Sequence, residues 1–221
     1  MAVVSNASVR ISAFSWVPEF ARGFVRDLRV RWALEEAGID YSERLLDGRL
    51  DRPVDYLSEQ PFGQVPSYVD KGVVLFESGA IVLHIGETCD ALLPNEPAER
   101  ARAIAWVFAA LNSVEPWTAQ LGALDAFHAG EAWTKERRPQ LEKMAARRLD
   151  RLEAHLGDRP WLENRFTAGD LTMSAVLRDS DFASARPRLA AYRARCEGRP
   201  AFKRALAAQM AAFEPAKASS Q

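Results

Sequence analysis

Pro61-Phe62-Gly63-Gln64-Val65-Pro66, followed after a short hairpin by Leu75-Phe76-Glu77-Ser78-Gly79-Ala80-Ile81, is the stretch from which the rest of the chain can be read. A proline just before a short strand can hold a cis peptide, which turns backbone groups outward instead of into the sheet. Val65 then offers its N–H and C=O to an extended peptide ligand, in the manner of strand addition. Glu77 and Ser78 stand at the entrance to the next helix. Free N–H groups and the helix dipole there favour a ligand carboxylate, and Glu77 can pair with a ligand ammonium. Taken singly, Ser78 is an N-cap and Pro66 a loop proline. In this order they make one short site that reads both charges of an α-amino acid and an adjacent peptide group.

Residues 9–14 are short, flanked by polar residues and read as a strand. Phe24, Leu28, Trp32 and Ala33 recur at close to helical spacing, predicting a helix over 24–37 that Gly38 stops. A second strand is expected over 41–46, and 51–59 is polar and irregular. Residues 64–69 and 73–76 form two strands about Asp70-Lys71-Gly72, and a helix follows over 78–89. The order β-α-β-α-β-β-α implies a hairpin closing a partly parallel sheet. Pro94, Asn95 and Pro97 mark a linker over 91–97. Beyond it the chain is helical. Ile104, Val107, Phe108 and Leu111 form one apolar stripe; Leu141, Met144, Ala145, Leu152 and Leu156 form another, with Arg148 laying its stem along the core. The expected fold class is therefore α/β plus all-α, with an α/β domain over 1–90 and an all-helical domain over 98–221. The small, polar tail 216–221 is expected to fray.

The chain of 221 residues has Lys+Arg 29 against Asp+Glu 30, a net charge of -1, so no global basic field favours nucleic acid. Cys89 and Cys196 make no CxxC or zinc spacing and suit a reducing compartment as packing cysteines. His84, His128 and His155 show no metal spacing, and no metal is expected. The N-terminal run lacks a basic segment followed by a long apolar one, and no apolar run approaches the roughly 18 residues of a membrane span. A cytoplasmic protein that engages neither membrane nor nucleic acid is the expectation.

These motifs resemble the cytosolic glutathione transferase superfamily along nearly the whole chain. Gln64-Val65-Pro66 is similar to the family's cis-proline motif, Glu77-Ser78 to its γ-glutamyl-binding pair, and Arg29-Val30-Arg31-Trp32-Ala33-Leu34-Glu35-Glu36-Ala37-Gly38 to its first helix. The resemblance implies a thioredoxin-like N-terminal domain, a helical-bundle C-terminal domain, glutathione as co-substrate and a homodimer. It carries over Gln64 as a glutathione contact. It makes Arg52 the candidate for the glycine carboxylate, as the basic residue ahead of the Pro61-Phe62-Gly63-Gln64 run. Phe166-Thr167-Ala168-Gly169-Asp170-Leu171-Thr172 resembles the family's buried capping motif, in which Thr167 and Asp170 satisfy each other's free donors. Arg199-Pro200-Ala201-Phe202 resembles its terminal region.

In that family a Tyr, Ser or Cys just after the first strand stabilises the thiolate of glutathione. Here no tyrosine precedes Tyr41 and no cysteine precedes Cys89, which argues against the tyrosine and cysteine classes. The register of the family's serine falls near 24–26, where there is none, because Trp16-Val17-Pro18-Glu19-Phe20-Ala21-Arg22-Gly23 separates strand from helix. Two readings stand. The helix starts early, near Pro18, and Ser15 at its N-terminus donates to the thiolate; alternation from Val9 favours Ser15 over Ser12. Alternatively, the insert is a lid, and backbone N–H groups, Arg22 or Arg26 stabilise the sulfur. Trp16 either lines the electrophile pocket or packs on the insert. Phe108 and Asn112, with Trp106, Trp117 and Phe127 behind them, are candidates for the pocket's other wall. The expected activity is addition of the glutathione thiolate to a small electrophile. The rivals are a glutathione-dependent isomerase or dehalogenase, and a non-catalytic binding protein of the same fold.

Overall fold

The computed structural model describes residues 3–178 and 181–214; the tail expected to fray lies outside them. The chain divides into two compact units. The first runs to Ile85 and takes in the chain again from Pro200; the second is Gly86–Arg199.

The first unit is built on strands β1 (Val9–Trp16), β2 (Tyr41–Asp47), β3 (Ser67–Asp70) and β4 (Val73–Phe76), in the order β2-β1-β3-β4. β1 and β2 are parallel; β3 is antiparallel to β1 and to β4. The hairpin turns on Lys71 and Gly72, both at positive φ, the two-residue geometry whose twist matches the flanking strands. Helices α1 (Asp27–Ala37), α2 (Val54–Leu57) and α3 (Ser78–Gly86) complete the thioredoxin-like order. The polar, irregular stretch 51–59 thus contains one helical turn.

Gly38 ends α1 at φ 69, as its position predicts, while Ile39 N donates to Leu34 O at 2.9 Å. The start of α1 differs from both sequence expectations. Periodicity places it at Phe24 and the N1-proline reading near Pro18. Pro18 instead caps a single 3-10 turn, Glu19–Ala21, and Gly23 at φ 84 breaks the right-handed path before α1 begins at Asp27. Ser15 is therefore not at the N-terminus of α1.

α1 is buried almost all round. Leu28, Val30, Trp32, Ala33 and Leu34 belong to the core, and so do Asp27 and Arg31. Arg31 Nε donates to Asp27 Oδ2 at 2.6 Å and Nη1 donates to Glu43. Burial works against the Arg31 charge, but Asp27 and Glu43 more than offset it and hold the guanidinium protonated. Burial likewise raises the Asp27 pKa, against the pull of Arg31. The last helix among the described residues, α9 (Pro200–Ala212), packs on this face. Phe202 meets Trp32 edge-on at 4.9 Å, Arg204 Nε donates to Glu35 Oε2 at 2.6 Å, and Gln209 Nε2 donates to Asp27 Oδ1 at 2.7 Å and to Val25 O at 3.0 Å.

The second unit holds α4 (Pro97–Phe108), a π-helical turn (Ala109–Val114), α5 (Glu115–Phe127), α6 (Ala132–Leu156), α7 (Ala168–Val176) and α8 (Pro187–Glu197). The stretch 91–97, expected as a linker, is packed into this unit: Leu92 and Leu93 are buried, and Leu92 O accepts from Ala168 N at 2.8 Å. Thr167 and Asp170 form the expected capping box on α7. Asp170 also accepts from Leu162 N and from Tyr192 Oη, each at 2.9 Å, so one buried carboxylate ties α7 to α8 and to the preceding loop. Burial raises its pKa while these bonds pull it down.

Candidate functional site

The site in the first unit is assembled where β3 and β4 lie side by side. Ser67 pairs with Phe76, so the residues just before Ser67 face the residues just after Phe76. This register brings Val65-Pro66 beside Glu77-Ser78. The Val65–Pro66 peptide is cis, and the β1–β3 ladder begins beyond it. Among the described residues, the Val65 N–H and C=O have no hydrogen-bond partner, although its side chain is anchored with Leu46 and Tyr56 and packed by Phe14 and Val25. A buried side chain thus presents unpaired backbone groups, the arrangement that accepts an extended ligand.

Glu77 has φ 68, a left-handed conformation that a residue with a Cβ rarely adopts. Its carbonyl accepts from Ile81 N at 3.0 Å, which places it as the N-cap of α3. Its carboxylate is exposed and unpartnered among the described residues. Ser78, the first residue of α3, is buried, and its Oγ lies 3.4 Å from Arg29 Nη1. Arg29 escaped the sequence reading. It is buried on α1 and adds positive charge at a helix N-terminus that already favours an anion. Only its run of neighbours resembling a first helix could have drawn attention to it.

Ser15 occupies a β-bulge. Phe14 pairs with Leu46 and Trp16 with Asp47, which leaves Ser15 as the extra residue opposite no partner. A bulge re-aims the side chain of the extra residue. The Ser15 hydroxyl is half-buried and has no partner among the described residues. Ser12, three residues earlier, is buried and bonded to Tyr56 Oη at 2.7 Å and to Ser67 N at 2.6 Å. Of the two serines, Ser15 is the one with a hydroxyl left to offer.

Arg52 is spent largely on the protein. Nε donates to Gly63 O at 2.9 Å, Nη1 donates to Asp47 O at 3.0 Å and Leu50 O at 2.6 Å, and the guanidinium lies 4.8 Å from the centre of the Phe14 ring. It clips the β2–α2 loop to the loop that carries Gln64. Arg49, which the sequence reading did not single out, lies in the same loop. Its guanidinium stacks 4.8 Å from the Trp16 ring centre, and it donates to Asp47 Oδ1 at 2.9 Å and Oδ2 at 2.6 Å. These bonds hold the Asp47 carboxyl down at about 2. Gln64 has an exposed side chain, and its carbonyl accepts from Tyr56 Oη at 2.5 Å.

Phe108 and Asn112 belong to the second unit. Phe108 closes α4, Asn112 lies in the π-helical turn, and both are exposed. A π-turn inside a helix is an uncommon feature, often found at functional positions. Trp106 and Trp117 are tied into the fold: Trp106 Nε1 donates to Glu163 Oε1 at 2.8 Å and its ring lies 4.6 Å from that of His155, while Trp117 packs on Leu121, Leu124, Leu141 and Ala145. Cys196 is buried, and its surroundings push the thiol up to about 12. Among the described residues no group of three or more His, Cys, Asp or Glu side chains is placed to hold a metal ion, and no helix is long and apolar enough to cross a membrane.

Residues 21–87 match the family described as "Glutathione S-transferase, N-terminal domain", and residues 131–195 match "Glutathione S-transferase, C-terminal domain". A curated relative from Zea mays, "Glutathione S-transferase 3", is 32% identical over 208 residues, covering 82% of this chain and 88% of that protein. The "Maleylacetoacetate isomerase" of Rhizobium meliloti is 32% identical over 197 residues, covering 80% of this chain and 89% of its own. Among solved structures, a glutathione transferase family member from Pseudomonas fluorescens, with two glutathione bound, shares the fold at TM-score 0.78 and 24% identity, over 90% of this chain and 92% of that one. With the two domain matches in order and a relative aligned over most of both lengths, the chain belongs to the cytosolic glutathione S-transferase superfamily.

Proposed function

We propose that the chain binds glutathione in its first unit and adds the glutathione thiolate to a small electrophilic carbon. The observation that carries this reading is the juxtaposition of an unbonded Val65 backbone with the strained, unpartnered Glu77 at the N-terminus of α3. Val65 N–H and C=O pair with the peptide of the cysteinyl residue. The α3 N-terminus and Ser78 hold the γ-glutamyl carboxylate, and Glu77 holds its ammonium. Gln64 is a further contact, and Arg52, with the neighbouring Arg49, attracts the glycine carboxylate. A free thiol titrates near about 8.5 and is mostly protonated at neutral pH. The Ser15 hydroxyl donates to the sulfur and favours the thiolate. The thiolate lone pair then forms the C–S bond while the electrons of the broken bond leave with the departing group or enter the electrophile's π system. The protein contributes proximity and thiolate stabilisation, with no covalent enzyme intermediate. Trp16, in the first unit, is a proposed contact of the electrophile.

The protein is proposed to act in the cytoplasm as a detoxifying homodimer. Supporting the dimer, Phe62 is 69% exposed with its ring 6.0 Å from that of Phe76, which shares a face of edge strand β4 with the exposed Val74. A second reading, an isomerase that returns glutathione, is favoured by the Rhizobium relative. Incubating the protein with glutathione and candidate electrophiles, then weighing the products, separates the two: conjugation consumes glutathione into an adduct, isomerisation does not. Ser15→Ala is expected to lower kcat about 10–100-fold without moving Tm. An unchanged kcat would remove Ser15 from the mechanism and leave glutathione binding standing.

A further inference from the structure

We propose that Ser12 and Tyr56 form a directional hydroxyl relay that positions the Val65 backbone for its ligand, making both of them positioning residues of the site. The ligand part rests on the reading of Val65 as glutathione-binding backbone. Tyr56, on the single turn α2, is fully buried, and its Oη lies 2.5 Å from Gln64 O and 2.7 Å from Ser12 Oγ. A carbonyl oxygen only accepts, so the single phenol proton points at Gln64 O. Toward Ser12 the phenol oxygen must then accept, and the Ser12 proton is committed to it. Ser12 Oγ in turn accepts from Ser67 N at 2.6 Å. The direction is fixed throughout: Ser67 N–H to Ser12, Ser12 to Tyr56, Tyr56 to Gln64 O.

The relay starts one residue after the Val65-Pro66 dipeptide and ends one residue before it. It fastens the backbone on both sides and leaves Val65 N–H and C=O unclaimed. The fastening is braced from outside. Ser67 Oγ donates to Glu59 Oε2 at 3.0 Å, and Glu59 Oε1 accepts from Arg10 at 2.7 Å and Arg44 at 2.8 Å. Both relay protons are used internally, so neither hydroxyl serves as a donor to the sulfur.

The test uses the full-length protein with Tyr56→Phe, Ser12→Ala and the double substitution. In each variant, amide hydrogen exchange at Ser67, whose N–H the relay binds, is expected to accelerate in the ligand-free protein. The glutathione Kd, by calorimetry, rises about tenfold, the order expected when buried partners are orphaned. The KM for glutathione rises in step while kcat at saturating glutathione stays near wild type, a split that mere loss of folded protein does not produce. Because the relay is one unit, the double variant is no worse than the worse single one. Unaltered exchange at Ser67, additive effects, or faster exchange with an unchanged Kd would each overturn the proposal. A wild-type protein that fails to bind glutathione would overturn the ligand part together with the functional reading, and the exchange data would then decide the relay alone.

Discussion

Glu77 holds the most informative backbone conformation in the site. A left-handed residue with a Cβ costs on the order of 1 kcal/mol or more, and glycine would occupy the same position freely. Glycine also makes the unfolded chain more flexible, which offsets part of that relief. Glu77→Gly is therefore expected to leave stability unchanged or raise it by up to about 1 kcal/mol, measured by urea unfolding, while glutathione binding is lost. A clear loss of stability would show that the carboxylate serves the fold instead. Asp47 supplies a pH test. Its folded-state pKa of about 2 lies below the ordinary 3.8, because Arg49 bonds the ionised form. The pair's contribution is fully present above 3.8 and is lost as pH falls toward 2. A carboxyl titration followed by NMR should place Asp47 near 2 in the wild type and higher in Arg49→Ala, though still below 3.8 because the backbone N–H at position 49 keeps its bond to Oδ1. At this scale the sequence was legible where residue type alone carries the chemistry, as in Glu77-Ser78 and Gln64-Val65-Pro66. It was silent on Arg29, Arg49 and Tyr56, whose roles come from neighbours distant in sequence. It was silent also on the bulge that singles out Ser15, because an extra residue in a strand leaves no periodic mark.

Among the elements, the strand order, the hairpin and the α1 stop at Gly38 followed from short apolar runs and turn chemistry, although β3 starts at Ser67 and not at Gln64. The α1 start did not, since Phe24 keeps the helical spacing while Gly23 breaks the path just before it. The capping box on α7 was readable because its two members are three residues apart. Its reach to Leu162 and Tyr192 was not. That difference sets the size of two mutational effects. Thr167→Ala removes one cap and should cost about 1 kcal/mol. Asp170→Ala strips the acceptor from Thr167 N, Leu162 N and Tyr192 Oη together, all buried, and should cost about 3 kcal/mol or more. Thermal or denaturant unfolding of the two variants checks the ordering; equal losses would mean that the reach to Leu162 and Tyr192 adds nothing.

At the scale of the whole molecule, two compact units with an α/β sheet in one and a helical bundle in the other match the class read from the sequence. The return of α9 to the first unit was hidden, because a helix on a distant core has the same periodicity as one on its neighbour. Buried Gln209, a polar residue on the inner face of α9, was the available sign that something other than an apolar bundle awaited it. We propose the first unit as a glutathione site. Calorimetric titration of the purified wild-type protein with reduced glutathione, beside a Glu77→Ala/Ser78→Ala variant of matched Tm, tests it most directly. The predicted result is saturable binding by the wild type that disappears in the variant. Absence of binding by the wild type, or equal binding by both, would contradict it.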